Sequence, residues 1–214
     1  MKPGVVSLML VTDRRLSRGR ETAWIVREAV AGGATCVQLR EKNADTREFL
    51  AEARAVKAAL EGTGVPLIIN DRVDVALAAG ADGVHLGQQD LPIADARRLV
   101  PQGWIIGVSA ESVEDAVRAE RDGADYVGAS PVFATPTKTD TAPPLGLDGL
   151  RAIRATVTIP VVAIGGIHAG NAHAVREAGA DGLAVVSAIM GAEDPRRVAA
   201  TLRAVITAAS AERS

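Results

Sequence analysis

Gln38-Leu39-Arg40-Glu41-Lys42 sets an amide and two cations at alternate positions, the spacing at which an extended chain turns three side chains to one side. Asn70-Asp71-Arg72 and His85-Leu86-Gly87-Gln88-Gln89-Asp90 each bring a carboxylate after a short apolar run. Two carboxylates on neighbouring loops can share a hard cation. Magnesium suits such a pair, because it takes one or two protein carboxylates and fills its octahedron with water and phosphate oxygens. Cations, an amide and two acids at one place match a diphosphate carried with its metal better than a neutral metabolite. Gly165-Gly166 and Val186-Ser187 follow two later apolar runs. There, backbone N–H groups, a helix start and the close approach that glycine allows could hold a phosphate monoester. Each string also has a plainer reading: Arg40 paired with an acid at a strand end, Asp71 or Asp90 as a helix cap, the glycine pair as a strand-to-helix turn.

What must position these groups is a repeated unit. Gly33-Ala34-Thr35, Gly80-Ala81-Asp82, Gly123-Ala124-Asp125 and Gly179-Ala180-Asp181 each leave a helix-like run and begin an apolar, strand-like one. Between them, apolar runs at 66–69, 104–108 and 160–164 open on turn residues, and 5–11 adds an N-terminal strand. Periodicity and chain breakers predict helices at 21–31, 46–60, 73–79, 93–100, 112–121, 148–155, 170–178 and 195–208. Strands alternating with helices imply parallel pairing. Eight even units, with no dinucleotide-type glycine turn after the first strand, predict a closed (β/α)8 TIM barrel rather than an open doubly wound sheet. The 214 residues fit one such domain over 1–214. Barrel chemistry stands at the C-terminal ends of the strands, where all of these strings fall. The connection 131–147 is conspicuously long, contains Thr135-Pro136-Thr137-Lys138 and Pro143-Pro144, and reads as an active-site loop.

Composition narrows the remaining classes. Hydrophobic residues make up 48% but aromatics only 2%, so Val, Ile, Leu and Ala must fill the interior and base-stacking platforms are largely excluded. With 24 Lys plus Arg against 26 Asp plus Glu, the net charge of −2 supplies no global field for nucleic acid or an anionic membrane. Small-molecule partners are therefore expected, any phosphate site must be local, and nothing in the chain signals an oligomeric state. The single Cys36 opens a strand and reads as a small buried hydrophobe. The apolar run at the N-terminus stops at Asp13-Arg14-Arg15, without a small-residue cleavage site or a spanning length, which predicts a cytoplasmic protein. Of the three histidines, His85 lies in a strand as a packed, hydrogen-bonded side chain or one facing the lumen, and His168 and His173 read as loop and helix surface.

Taken together, Gln38 to Lys42, Asn70-Asp71-Arg72, Asp82 to Gln88, Thr135 to Lys138 and Ala163-Ile164-Gly165-Gly166-Ile167 resemble the thiamine-phosphate synthase family over nearly the whole chain. The resemblance implies an enzyme that joins a pyrimidinylmethyl diphosphate to a thiazole phosphate with Mg2+. It implies that Gln38, Leu39, Arg40, Glu41, Lys42, Asn70, Ser109 and Lys138 contact the pyrimidine diphosphate, and that Asp71 and Asp90 hold one magnesium ion. Thr135, Pro136, Thr137, Gly166, Val186 and Ser187 would receive the thiazole phosphate. Arg40, Lys42 and Lys138 would be the catalytic cations of a dissociative reaction that needs neither a protein nucleophile nor a base. One departure is Ala129-Ser130-Pro131, where the family more often has Gly-Pro; it touches the fine geometry of the thiazole side. Three rivals remain: a thiazole tautomerase-like paralogue, a noncatalytic thiamine-pathway binding protein, and an unrelated phosphosugar isomerase. Retention of the diphosphate set argues against the first two, and the lack of a clear acid–base pair against the third.

Overall fold

A computed structural model of the chain describes residues 1–2, 4–135 and 143–211. Eight short strands, β1 (Leu8–Val11), β2 (Cys36–Leu39), β3 (Leu67–Asn70), β4 (Gly83–Leu86), β5 (Ile105–Ala110), β6 (Tyr126–Ala129), β7 (Val161–Ile164) and β8 (Gly182–Val185), each pair in parallel with the next. β8 pairs with β1 and closes the ring. Around it run α1 (Thr22–Ala31), α2 (Thr46–Ala59), α3 (Val73–Ala79), α4 (Ile93–Leu99), α5 (Val113–Arg121), α6 (Gly146–Thr156), α7 (Ala172–Glu177), α8 (Ser187–Met190) and α9 (Pro195–Ala211). The expected single (β/α)8 barrel is therefore the observed architecture. Among the described residues, no helix is long and apolar enough to cross a membrane.

Strands buried on both faces carry almost unbroken apolar runs, and here the period of two sorts them into two layers. Leu8 and Leu10 join the core between barrel and helices, whereas Met9 and Val11 fill the lumen with Cys36, Ile68, Tyr126, Val162 and Ala184. Cys36 is fully buried, as its sequence position implied, and burial drives its thiol pKa far up. Tyr126, the bulkiest ring of the lumen cluster among the described residues, needs a gap beside it. A Cβ on Gly107 would stand 2.1 Å from the tyrosine Cζ, so the small residue on β5 makes room for the large one on β6.

The repeated Gly-Ala-Asp string has a definite task at the N-terminal face. Asp82, Asp125 and Asp181 each stand just before an even strand, and each carboxylate accepts from the backbone N–H at or next to the start of the preceding odd strand. The bonds are Leu67 N at 2.8 Å, Ile106 N at 2.7 Å and Val161 N at 2.8 Å. Thr35 does the same in the first unit, its Oγ1 accepting from Leu8 N at 3.0 Å. Each aspartate is also paired with a cation from the helix behind it: Lys57, Arg97 and Arg154 respectively. The repeat thus satisfies backbone donors that the ladder would otherwise leave open.

Element boundaries shift by a few residues from the periodicity reading. α6 begins at Gly146 rather than 148, and α7 is confined to Ala172–Glu177 rather than 170–178. α9 continues to Ala211. Two elements have no counterpart in that reading: a 3-10 turn at Arg14–Leu16 and the single turn α8. Both are too short to show a helical repeat.

Candidate active site

At the C-terminal mouth of the barrel lies a cavity of about 440 Å³. The end of β2 supplies its first wall. Gln38, Arg40 and Lys42 all line it at successively shallower depth: Gln38 is buried, Arg40 is largely covered and Lys42 is half exposed. Leu39 turns into the layer beneath the helices, and the Glu41 carboxylate accepts from Lys42 N and Asn43 N. Neither Leu39 nor Glu41 lines the cavity. Arg40 is fixed through its backbone, its N–H donating to Thr12 Oγ1 at 3.0 Å. Its guanidinium stands 4.0 Å from Asp13 Oδ2, outside hydrogen-bond range, because Asp13 is already held by Arg15 at 2.7 Å. That bond to Arg15, opposed by partial burial, keeps the Asp13 carboxyl below the usual carboxylate range. The salt-bridged strand end thus exists at Asp13, but its partner is chiefly Arg15.

The two candidate metal carboxylates meet across the β3 and β4 ends. Asp71 follows Asn70 in a left-handed conformation at φ 64°, with its N–H on His85 O at 2.8 Å. For a residue other than glycine this is a sparsely populated conformation, of the kind that collects at functional sites. Lys42 Nζ donates to Asp71 Oδ2 at 2.7 Å. Asp90 Oδ2 accepts from Gly87 N at 2.6 Å. Burial raises the Asp90 carboxyl above its ordinary pKa; the Gly87 N–H opposes this, the adjacent Asp71 carboxyl adds to it, and Lys42 draws it back. Neither aspartate caps a helix: α3 and α4 begin after Arg72 and Pro92, without side-chain caps. Among the described residues no three His, Cys, Asp or Glu side chains cluster as a full metal cage. The donor set is two hard, mutually repelling carboxylates at a polar mouth. A divalent cation with water and phosphate oxygens in its other positions fits them.

The floor is a hydrogen-bonded string. His85 places Nδ1 2.9 Å from Tyr126 Oη and Nε2 3.0 Å from Ser109 Oγ, so it is both packed and turned to the lumen. Burial, with Cys36 beside it, holds the Tyr126 phenol well above its ordinary pKa, while a hydrogen bond with Gln38 acts the other way. Gln88 donates to Ser109 O and accepts from Arg118 Nη2 at 2.7 Å, tying the floor to α5. The other two histidines lie outside the site: His168 is in a loop and His173 is on the α7 surface beside Glu177.

The opposite wall comes from β7 and β8. Gly165 and Gly166 have φ of 105° and 64°, and both face the returning chain at 131–134. A Cβ on Gly165 would lie 2.7 Å from Pro131 Cβ, and one on Gly166 would lie 2.9 Å from Phe133 Cβ. The glycine pair is therefore needed for the approach of a loop, in addition to any ligand. The two described ends of that connection are held together, with Leu145 N on Pro131 O at 2.8 Å and Gly146 N on Val132 O at 3.0 Å. Thr135, Gly166, Val186 and Ser187 line the cavity. Pro136, Thr137 and Lys138 lie outside the described residues.

The structure therefore brings Gln38, Arg40, Lys42, Asn70, Asp71, Asp90, Ser109, Thr135, Gly166, Val186 and Ser187 to one cavity. Tyr126, Gln88, Glu111 and Ser130 also line it and were not singled out as functional from sequence. A signal existed for Tyr126, the only tyrosine, directly after a Gly-Ala-Asp repeat; its polar partners His85 and Gln38 come from β4 and β2 and leave no local pattern.

Comparison with known proteins agrees with this geometry. A family model for thiamine monophosphate synthase matches residues 8–189. The thiamine-phosphate synthase of Albidiferax ferrireducens is 59% identical over 201 residues, covering 94% of this chain and 92% of its own. That of Chloroflexus aurantiacus is 56% identical over 200 residues, with coverage of 94% and 92%. Among solved structures, a thiamine phosphate pyrophosphorylase from Pyrococcus furiosus superposes with a TM-score of 0.88 at 46% identity, covering 96% of this chain and 97% of that one. A 3-hexulose-6-phosphate synthase, at 22% identity and a TM-score of 0.69, shares the fold alone. The chain belongs to the thiamine monophosphate synthase family.

Proposed function

We propose that this chain is a thiamine-phosphate synthase. It condenses 4-amino-2-methyl-5-pyrimidinylmethyl diphosphate with a thiazole phosphate, giving thiamine monophosphate and diphosphate. The observation that carries this reading is the juxtaposition at one mouth of Lys42, Asp71 and Asp90 with Arg40, opposite a wall of Gly166, Val186 and Ser187. One half suits a metal-bound diphosphate and the other a phosphate monoester, which is the charge pattern of the two substrates.

In the reaction, the C–O bond between the pyrimidinylmethyl carbon and diphosphate breaks first, and its electron pair leaves with the diphosphate. The ring amino group stabilises the cation by donation. The thiazole nitrogen then supplies its lone pair to form the new C–N bond, with no proton to remove. What the chain must provide is neutralisation of the leaving group and exclusion of water. Arg40, Lys42 and Lys138 meet the growing negative charge, and Gln38, Asn70 and Ser109 orient the pyrimidine diphosphate with Leu39 and Glu41 at backbone level. Met9, Val11, Val162 and Ala184 form apolar walls that keep the cation from water. Asp71 and Asp90 would hold Mg2+, which when bound supplies positive charge to the diphosphate oxygens. Thr135, Pro136 and Thr137, with Gly166, Val186 and Ser187, receive the thiazole phosphate, and the 131–147 segment acts as the working loop.

The test is to mix purified protein with both substrates, and with each alone, with and without magnesium, and follow thiamine phosphate and diphosphate. Product formed only with both substrates and the metal supports the synthase. Isomerised thiazole without coupling would support the tautomerase-like reading, and tight binding without turnover a binding protein.

A further inference from the structure

We infer that Arg20, on the connection between β1 and α1, is a positioning residue for the phosphate-monoester half of the site, acting through α8. This rests on the assignment of Val186 and Ser187 to the thiazole phosphate. α8 is a single turn of four residues, and one turn of helix does not hold itself in water. Yet its first residue and the residue before it line the cavity. Ile189 N and Met190 N both donate to Val186 O, at 3.2 and 2.9 Å, so any movement at the far end of the turn reaches Val186 through one carbonyl. At that far end the carbonyls of Met190 and Ala192 point out of the helix. Arg20 takes both: Nη2 donates to Met190 O at 2.7 Å and Nη1 to Ala192 O at 2.6 Å. The guanidinium is itself fixed, with Nε donating to Ser17 O at 2.8 Å and Cζ 5.5 Å from the Trp24 ring centroid. One side chain thus fastens the last β/α unit to the first, across the seam where the barrel closes, without lining the cavity. A cation at this end also complements the helix dipole. The planar fork reaches three carbonyls at once, which a lysine ammonium on a flexible stem does not reproduce.

The experiment compares Arg20→Ala and Arg20→Lys with wild type in the full chain, with magnesium, varying each substrate in turn. The expected result is a KM for the thiazole phosphate raised about tenfold or more, since small misplacements of a binding element carry large costs. The KM for the pyrimidine diphosphate should stay within about twofold of wild type, the range left to an element that Arg20 does not position. Arg20→Lys should resemble Arg20→Ala rather than wild type, and it carries the test if the alanine variant does not fold. Arg18→Ala, which removes an exposed 3.8 Å pair with Glu193 on the same connection, should leave both constants unchanged. A fall in thermal stability with both KM values unchanged, a parallel rise in both, or full rescue by lysine would overturn the proposal. Calorimetric titration with thiazole phosphate alone separates this inference from its premise. If wild type fails to bind, the assignment of Val186 and Ser187 falls and the inference with it. If wild type and both variants bind equally, only the role of Arg20 falls.

Discussion

Replacing Asp125 by alanine isolates what the Gly-Ala-Asp repeat does. The carboxylate accepts the Ile106 N–H at 2.7 Å, and Ile106 is fully buried. Without the acceptor that donor has no water to turn to, a loss worth about 1 to 3 kcal/mol. The pair with Arg97 is partly exposed and adds about 0 to 1 kcal/mol, since Arg97 keeps its bond to Trp104 O at 2.6 Å. The expected destabilisation is therefore about 2 kcal/mol, which for a domain of this size lowers Tm by roughly 4 to 8 °C. Asp125→Asn retains an acceptor oxygen and loses only the charge, so it should cost about 0 to 1 kcal/mol. The assay is thermal unfolding of the three proteins, with turnover measured well below Tm. Turnover should be equal in all three, because the latch lies at the face opposite the cavity. An asparagine variant as unstable as the alanine one would show that the ion pair, not the backbone bond, carries the effect. A silent alanine variant would refute the latch altogether.

At the mouth, Lys42→Ala should lower turnover by about 10² to 10³, the usual loss of one electrostatic donor, with Tm little changed because Lys42 is half exposed; measured kcat and melting curves decide this together. Asp71→Asn removes a like charge from Asp90, so the Asp90 carboxyl should fall toward its ordinary value without reaching it, since burial is the larger cause of its rise; carboxyl NMR titration reads this directly, and an unmoved Asp90 would separate the two groups. Asp13 lies below its unfolded value chiefly through Arg15, so its stabilisation is present above the ordinary carboxylate pKa of about 3.9 and is lost as pH falls through the depressed folded value. Asp13→Asn should therefore flatten the acid side of the stability curve below about pH 4, with little change in slope near neutrality. Gly166→Ala would put a methyl 3.0 Å from Ala134 O in a residue at φ 64°, and should raise the KM for thiazole phosphate more than that for the pyrimidine diphosphate; equal effects on both would place the glycine outside that half.

The barrel was legible because its cause is local. Four Gly-Ala-Asp or Gly-Ala-Thr strings and the apolar runs between them mark the strands, and amphipathic segments such as Val73–Ala79 fall where periodicity puts them. The alternation Gln38, Arg40, Lys42 likewise translated directly into three cavity-lining side chains. What escaped were particular side-chain contacts between segments distant in sequence. α8 is one turn, below the length at which a 3.6-residue period can be seen, and it stands on Arg20 from the other end of the chain. His85, Ser109 and Tyr126 form a string only because β4, β5 and β6 lie side by side in this register. The glycine pair could be seen as permissive from sequence, but that it makes room for 131–134 follows only from where the loop returns.

The two ends of the barrel differ in how completely their charges are satisfied, and that difference carries a functional argument. At the N-terminal face Asp82, Asp125 and Asp181 each hold both a backbone N–H and a cation. At the mouth Asp71 holds Lys42 and Asp90 holds the Gly87 N–H, yet Asp90 is pushed up in pKa by burial and by Asp71, Asp71 sits in a left-handed conformation, and Arg40 stands beyond hydrogen-bond range of Asp13. A fold that places its acids so well at one end has the means to do so at the other, since the same β/α unit builds both. Crowding two carboxylates together and holding Arg40 off its nearest acid costs stability, and such local violations are expected at sites of function. On the proposed function, a divalent cation would relieve the two repelling carboxylates and free Lys42 from Asp71 to join Arg40 on a diphosphate. On the same reading, a metal-bound diphosphate would complement this crowded rim, which stands on the fully paired base at the other face.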